Sequence, residues 1–446
     1  MRIAGYVVVL AILIPALNLF ITVTLLPSVV ADIGGLALYA WATILYVVTS
    51  IVGAAGSSVL ARRQGMSRGL VIASVVFGMG AAVCALAPAM GFIIAGRAVQ
   101  GLGGGMIIGV VHATIRVVFP PNEWPTMLAR VSMAWGVAAL TGPSVGAIFA
   151  GAGWWRGGFG VMIGLVAVTC SLAWRLLPER RAPATAERFP GARLLLICAA
   201  VVALGFVANV DGPAPRAALV VAMTLALVWA FQLEARAAKR LFPTGVLSAR
   251  RPIGQCFWTI FLIAMSTTPI AVYFALLLQR IHEISPGVAG YLFASHSLAW
   301  TVAAVLTTRL PTRRIPLAIV LGPLLMALGF GGVASTVGSG PVALILLAIV
   351  IEGFGIGTCW PHLGHAVFGA AVTDEEEATA ALIPGTQLFA GAFGGAICGI
   401  IAGATGLTRD ASAAIAGTTG AALFTTSMIL AAAASFFAFA LARRPA

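Results

Sequence analysis

The sequence predicts an all-α integral membrane fold of fourteen transmembrane helices, arranged as two six-helix bundles with a central two-helix insert. Three observations carry this prediction. Of 446 residues, 61% are hydrophobic and only 9% charged, against about 25% charged in soluble domains. Uninterrupted apolar runs of roughly 20 residues, the length needed to cross a bilayer, recur along the whole chain. Two blocks of motifs also repeat at one constant offset, described below.

The elements follow in order. The first run, 6–30, is too long for a signal-peptide core and has no small-residue cleavage site, so it reads as a spanning helix. Span two, 37–60, stops at Arg62 and Arg63, and span three, 69–89, starts beyond that basic loop. Span four, 91–118, contains Arg97, and span five, 126–150, contains the Gly142–Pro143 pair. Span six, 157–177, runs into a charged stretch, Arg175–Arg193. Spans seven and eight, 193–210 and 215–232, are short, and a second charged stretch, Glu234–Arg251, follows them. Six longer runs complete the chain: 253–279, 287–308, 315–335, 341–371, 377–405 and 413–441. The domains are therefore read as a bundle over 1–178, linkers with two extra helices over 179–252, and a bundle over 253–446.

A net charge of +13 invites a nucleic-acid reading, but its distribution argues against one. All but five of the 26 Lys and Arg residues fall on the side of the N-terminus. Arg156, Arg216, Arg280 and Arg409 lie on the other side and Arg97 within a span. Positive charge marks the cytoplasmic face, which places both termini there. The expected location is a cell's inner, cytoplasmic membrane. The six cysteines all fall in spans without a CxxC spacing, so neither a disulfide framework nor a metal site is expected.

"QGLGGG" at 100–105 and "EGFGIG" at 352–357 are offset by 252 residues. "AIFAG" at 147–151 and "GIIAG" at 399–403 keep that offset, and Gly142 falls on Gly394. Two parallel halves place a binding site near the midplane between them.

"RAVQGLGGG" (97–105) puts Arg97 about 9 Å below the outer end of its helix at 1.5 Å per residue, where an unpaired charge is costly. "GVAALTGPSVG" (136–146) carries a Gly-Pro pair that bends a helix among close neighbours. With these two motifs the chain resembles the major facilitator superfamily. R-x-x-Q-G-x-G in the fourth span and G-P-x-x-G in the fifth look like two of its signatures, the second associated with its antiporters. Gly101, Gly142, Pro143 and Gly146 fall on the helix-packing positions of these motifs. The helix count, "LLLQRIHEISPGVAG" (276–290) and "ATAALIPGTQLFAGAFGGA" (378–396) resemble the fourteen-helix drug:proton antiporter branch. The resemblance implies the major facilitator fold, a transporter rather than an enzyme, and no cofactor.

The chain departs from that branch in three places. The branch usually has an acid early in the first helix, where "LNLFITVTLLPSVVAD" (17–32) has Asn18. The loop after the second helix usually resembles G-x-L-A-D-R-x-G-R, whereas "SVLARRQGMSR" (58–68) has Arg62 at the Asp position. Glu352 precedes a glycine run where no acid is expected.

The second departure has a candidate partner in "TDEEE" (373–377). Thr373 with Glu376 fits a capping box, and acids suit a helix N-terminus. The alternative is a charge-swapped conformational latch of Arg62 or Arg63 against Asp374, Glu375, Glu376 and Glu377.

Glu352 sits about 16 Å into its helix, near the middle of a hydrocarbon core about 30 Å thick. An ionised carboxylate is expensive there, so Glu352 is the leading candidate for carrying a proton. Arg97, Asp32 at the outer end of the first helix and His296 in "ASHSLAW" complete the proton-coupling candidates, each with a purely structural alternative. Candidate cavity residues are Asn18, Phe20, Thr22, Gln100, Met133, Trp135, Gln255, Tyr273 and Gln387. They describe a mostly apolar cavity with few polar anchors, suited to an amphipathic organic molecule.

The expectation is a monomeric, proton-coupled exporter of small amphipathic compounds or drugs working by alternating access. Its partners would be a small-molecule substrate, protons and the lipid bilayer, with no nucleic acid. One rival is a facilitator or importer of a metabolite; another is a non-transporting receptor or scaffold.

Overall fold

The computed structural model describes residues 2–120, 123–180, 191–207, 210, 212–237, 242–370 and 376–443. Among them there is no strand. A segment in hydrocarbon has no water to satisfy its N–H and C=O groups, and a helix satisfies them internally. Hydroxyls inside the spans follow the same rule, as when Thr114 donates to the Val110 carbonyl and Thr358 to the Phe354 carbonyl, both at 2.8 Å.

Among the described residues fourteen long helices form. They are α1 (Arg2–Ile33), α2 (Trp41–Gln64), α3 (Met66–Ala85), α4 (Met90–Val118), α5 (Trp124–Gly151) and α6 (Trp155–Leu176). Then come α7 (Gly191–Phe206), α8 (Pro213–Ala235) and α9 (Pro252–Ile281). The last five are α10 (Pro286–Thr307), α11 (Ile315–Thr336), α12 (Val342–Gly369), α13 (Glu376–Ala404) and α14 (Ala413–Ala442). Each falls on an expected span. Thirteen are long and apolar enough to cross a membrane, and α7 is a shorter apolar helix. The chain is thus a multi-pass membrane protein. One feature was not expected: α9 is interrupted by a π-helical turn at Ile270–Phe274, a device that re-aims side chains within a helix.

The chain divides into two compact units. One holds α1–α6 with Ser285–Tyr291; the other holds Leu195–Ile284 and Leu292–Ala446. Within the first, α2 and α3 pack on α4, α1 on α5, and α6 on α1 and α3. Within the second, α11 packs on α12, α9 on α13, and α14 on α9 and α11. These contacts repeat with the helix numbers raised by eight, the α2–α4 contact being matched by α10 on α12 through two glycines.

Glycine makes the closest approaches. In the first unit, side chains at Gly101 and Gly105 would strike the Tyr46 and Ser50 carbonyls of α2. In the second, side chains at Gly353 and Gly357 would strike the His296 and Trp300 carbonyls of α10. The repeated "QGLGGG" and "EGFGIG" are therefore the same helix contact made twice, with small residues letting backbones touch. On α5 and α13, Gly142 meets Phe20 of α1 and Gly394 meets Thr268 of α9.

Candidate functional site

Each unit encloses one polar cluster at the start of its glycine motif. In the first unit Arg97 of α4 is 2% exposed. Its Nε donates to the Ala42 carbonyl of α2 at 3.2 Å, and Nη1 donates to Gln100 Oε1 at 3.1 Å. The guanidinium lies over the Tyr46 ring, 4.0 Å from its centroid, a favourable placement for a desolvated cation. Gln100 Nε2 in turn donates to Asn18 Oδ1 of α1 at 3.2 Å, and Thr22 Oγ1 donates to the same oxygen at 3.4 Å. Three helices are tied by one chain of bonds. Among the described residues, no carboxylate pairs with Arg97.

In the second unit Glu352 of α12 is fully buried. Its Oε2 stands 2.5 Å from Nδ1 of His296 on α10. Gly329 of α11 fits against the Glu352 backbone and Cβ, so α11 closes in behind the acid. The His296 ring meets Trp300 edge-on at 6.1 Å, and Trp300 meets Trp360 at 5.8 Å. Glu352 Oε1 has no hydrogen-bond partner.

This pair has a chemical property that a fixed cation lacks. With a proton on Nδ1, the imidazole donates to a carboxylate; with the proton on Nε2, Nδ1 accepts from a carboxylic acid. The contact survives either protonation state of Glu352. A buried charge left without such a partner costs on the order of several kcal/mol.

The other candidates are spread out. Asp32 closes α1 onto α6, accepting from Trp155 Nε1 at 2.9 Å and from Arg156 at 3.0 Å. Arg156 also donates to the Ala87 carbonyl at 3.0 Å. Phe20 is buried against Gly142, and Tyr273 is buried on the π-helical turn. Gln255, at the start of α9, donates to the Ala249 carbonyl at 3.1 Å. Met133 is 61% exposed, while Trp135 and Gln387 are half-buried. Arg62 and Arg63 end α2. Asp374 and Glu375 lie outside the described residues, as do the side chains of Glu376 and Glu377.

Sequence reading placed Asn18 and Gln100 among the cavity candidates and Arg97, Glu352 and His296 among the proton-coupling candidates; the structure bonds Arg97 to Gln100 and Gln100 to Asn18, and pairs Glu352 with His296. It adds Tyr46, Trp300, Trp360 and the glycine backing of Gly80 and Gly329, which the sequence did not single out. Gly80 sits against Gln100 as Gly329 sits against Glu352. A usable signal existed for Tyr46: an aromatic on the face of α2 that meets "QGLGGG".

Comparison with known proteins agrees with this wiring. The model of the Major Facilitator Superfamily matches residues 8–394. Probable multidrug-efflux transporters of two Mycobacterium tuberculosis strains are 35% identical over 421 residues, covering 90% of this chain and 88% of theirs. Multidrug resistance protein 3 of Bacillus subtilis is 32% identical over 139 residues, 31% of this chain and 27% of its own. Among solved structures, a POT family transporter in complex with a thioalcohol-conjugated peptide superposes with a TM-score of 0.70 at 14% identity, covering 96% of this chain and 94% of that one. An inward-facing bacterial homologue of the human lysosomal transporter Spinster gives 0.64 at 13% identity, covering 99% and 96%.

Proposed function

The chain belongs to the Major Facilitator Superfamily and is a transporter of small molecules, not an enzyme; from that premise we propose that it is a proton-coupled exporter of amphipathic organic compounds or drugs. The observation that carries this reading is the enclosed Glu352–His296 pair, which stays hydrogen-bonded with or without a proton on the acid. Its efflux character is supported by the 35% identical mycobacterial relatives, which are named as probable multidrug-efflux transporters. In this mechanism Glu352 takes a proton from the outer side and releases it to the cytoplasm. Cargo binding favours the deprotonated state, so that the two ligands prefer different conformations. One pH unit supplies about 1.4 kcal/mol per proton, which sustains roughly a tenfold cargo gradient.

The bundles 1–178 and 253–446 rock about the cargo, with 179–252 as the insert. Arg97 holds α4 to α2 during this motion, and Asp32 holds the outer end of α1. Arg62 and Arg63 latch the cytoplasmic side against Asp374–Glu377. The protein works as a monomer in the inner membrane, with both termini cytoplasmic.

A second reading, a facilitator or proton-coupled importer of one metabolite, is favoured by the amide at Asn18. Proteoliposomes separate the two. For the exporter, accumulation of an amphipathic dye follows an imposed pH gradient and collapses with a protonophore. Counterflow at the same rate with and without the gradient would establish the facilitator instead.

A further inference from the structure

The two-helix insert carries a groove that the proton pathway does not use. Among the described residues, only 11% of the most apolar stretch of α8 is buried, the least of the thirteen helices that can cross a membrane. Along α8, Thr224, Leu227, Val228, Phe231, Gln232 and Ala235 recur at helical spacing and form one stripe. Leu247, on the segment that leads into α9, faces this stripe across a groove of about 460 Å³.

The two walls of the groove are fixed to each other. Glu234, 6% exposed, accepts from the Phe242 backbone N–H at 2.8 Å, and the Phe231 and Phe242 rings meet at 5.6 Å. Trp258 of α9 donates from Nε1 to the Leu247 carbonyl at 3.2 Å. The deep end is apolar in character, because the Thr224 hydroxyl donates to the Val220 carbonyl at 2.8 Å and is satisfied within its own helix.

Length, volume and charge together define the occupant. The stripe from Thr224 to Ala235 spans about 16 Å at 1.5 Å per residue, roughly half of a hydrocarbon core about 30 Å thick and so the depth of one leaflet. The volume holds about fifteen non-hydrogen atoms at roughly 30 Å³ each, the share one water takes in its liquid, which suits an acyl chain. At the C-terminal end of α8 the character reverses. The connection 236–251 carries five cations, Arg236, Lys239, Arg240, Arg250 and Arg251, and no acid. Arg236 caps α8, and Arg250 and Arg251 follow Leu247 on the other wall; all three are exposed. Gln232, one turn nearer the membrane centre than Arg236, lies between the apolar stripe and these charges.

We propose that this groove binds one anionic phospholipid, with an acyl chain along the α8 stripe and its phosphate among Arg236, Arg250 and Arg251. The Gln232 amide then lies at the level of the ester groups, which supply acceptors to a polar side chain in an otherwise apolar stripe. A zwitterionic lipid offers the same chain, but its own cation offsets the phosphate. The arginines therefore favour the anionic lipid, and their planar forks match phosphate geometry. The orientation proposed above makes this the cytoplasmic leaflet; the binding itself depends neither on that orientation nor on proton coupling.

The test is native mass spectrometry of the purified full-length protein in detergent, with equimolar phosphatidylglycerol and phosphatidylcholine of identical acyl chains. Wild type is expected to retain one phosphatidylglycerol about tenfold or more over phosphatidylcholine. Arg250→Gln combined with Arg251→Gln is expected to bring the two lipids within about twofold of each other. Val228→Trp fills the groove without altering the charges and is expected to lose the retained lipid of either kind. All three substituted side chains are exposed, so both variants should elute as wild type on size-exclusion chromatography. Retention of neither lipid by wild type, equal retention of both, or an unchanged preference in the double-arginine variant would overturn the proposal. Wild-type retention of phosphatidylglycerol by Val228→Trp would also overturn it, assigning the attraction to the basic surface rather than to the groove.

Discussion

In α4 the buried pair is Arg97 and Gln100; at the equivalent positions of α12 it is Ile349 and Glu352. Around both, the packing is the same: a second helix held backbone to backbone by two glycines, and a third helix closed in by one. The first unit thus holds a fixed positive charge among neutral partners, and the second holds an acid against a histidine. Identical wiring with opposite chemistry separates what the fold needs from what transport needs. The glycines serve the fold and recur. The polar groups differ: a fixed guanidinium keeps its charge, whereas a carboxyl–imidazole pair has the chemistry to hold or lose a proton.

The largest expected effect tests the shared part. Gly101→Leu and Gly353→Leu drive a side chain into a backbone carbonyl in the first and second unit respectively. Both should cost on the order of 3 kcal/mol or more, read as loss of folded protein on size-exclusion chromatography. Tolerance in one unit and not the other would break the equivalence.

The next effect addresses the part that differs. His296→Leu deprives Glu352 of its donor, at about 1–3 kcal/mol for a buried polar group left unsatisfied. Gradient-driven export should fall roughly tenfold, with His296→Gln, which keeps a donor and an acceptor, recovering part of it. Equal loss in both variants would point to packing against Trp300 rather than to the hydrogen bond.

Smaller again is the proposed latch. Arg62→Glu and Glu376→Arg should each slow export by a few-fold, in keeping with about 1 kcal/mol or less for an exposed ion pair. The double reversal should restore the rate; absence of rescue in a cell-based efflux assay would remove the latch. Smallest is Asp32→Asn at the exposed C-terminal end of α1. It should lower the melting temperature only slightly, as an exposed ion pair contributes little, and leave the pH dependence of export unchanged.

The spans were legible because a bilayer imposes length and apolarity on each helix separately, which is a local property of sequence. The equivalence of Gln100 and Glu352 was legible because α4 and α12, and α5 and α13, share one offset of 252 residues. That offset does not hold elsewhere. Tyr46 corresponds to His296 and Ser50 to Trp300 at an offset of 250, and Gly80 to Gly329 at 249, because the intervening loops differ in length. The sequence therefore offered Glu352 and His296 as separate candidates 56 residues apart on different helices. Their pairing depends on how α10 lies on α12, which only the close approach at Gly353 reveals. The π-helical turn in α9 was not legible either, since "IAVYF" has no residue pattern that distinguishes it from continuous helix.

The central claim is that the second unit's acid, and not the first unit's cation, moves the proton. The most direct measurement is dye export from proteoliposomes as a function of the imposed pH gradient, for wild type and Glu352→Gln side by side. Wild-type export should rise with the gradient, and Glu352→Gln should bind dye yet show a rate independent of it. A Glu352→Gln protein that still responds to the gradient as wild type does would contradict the account.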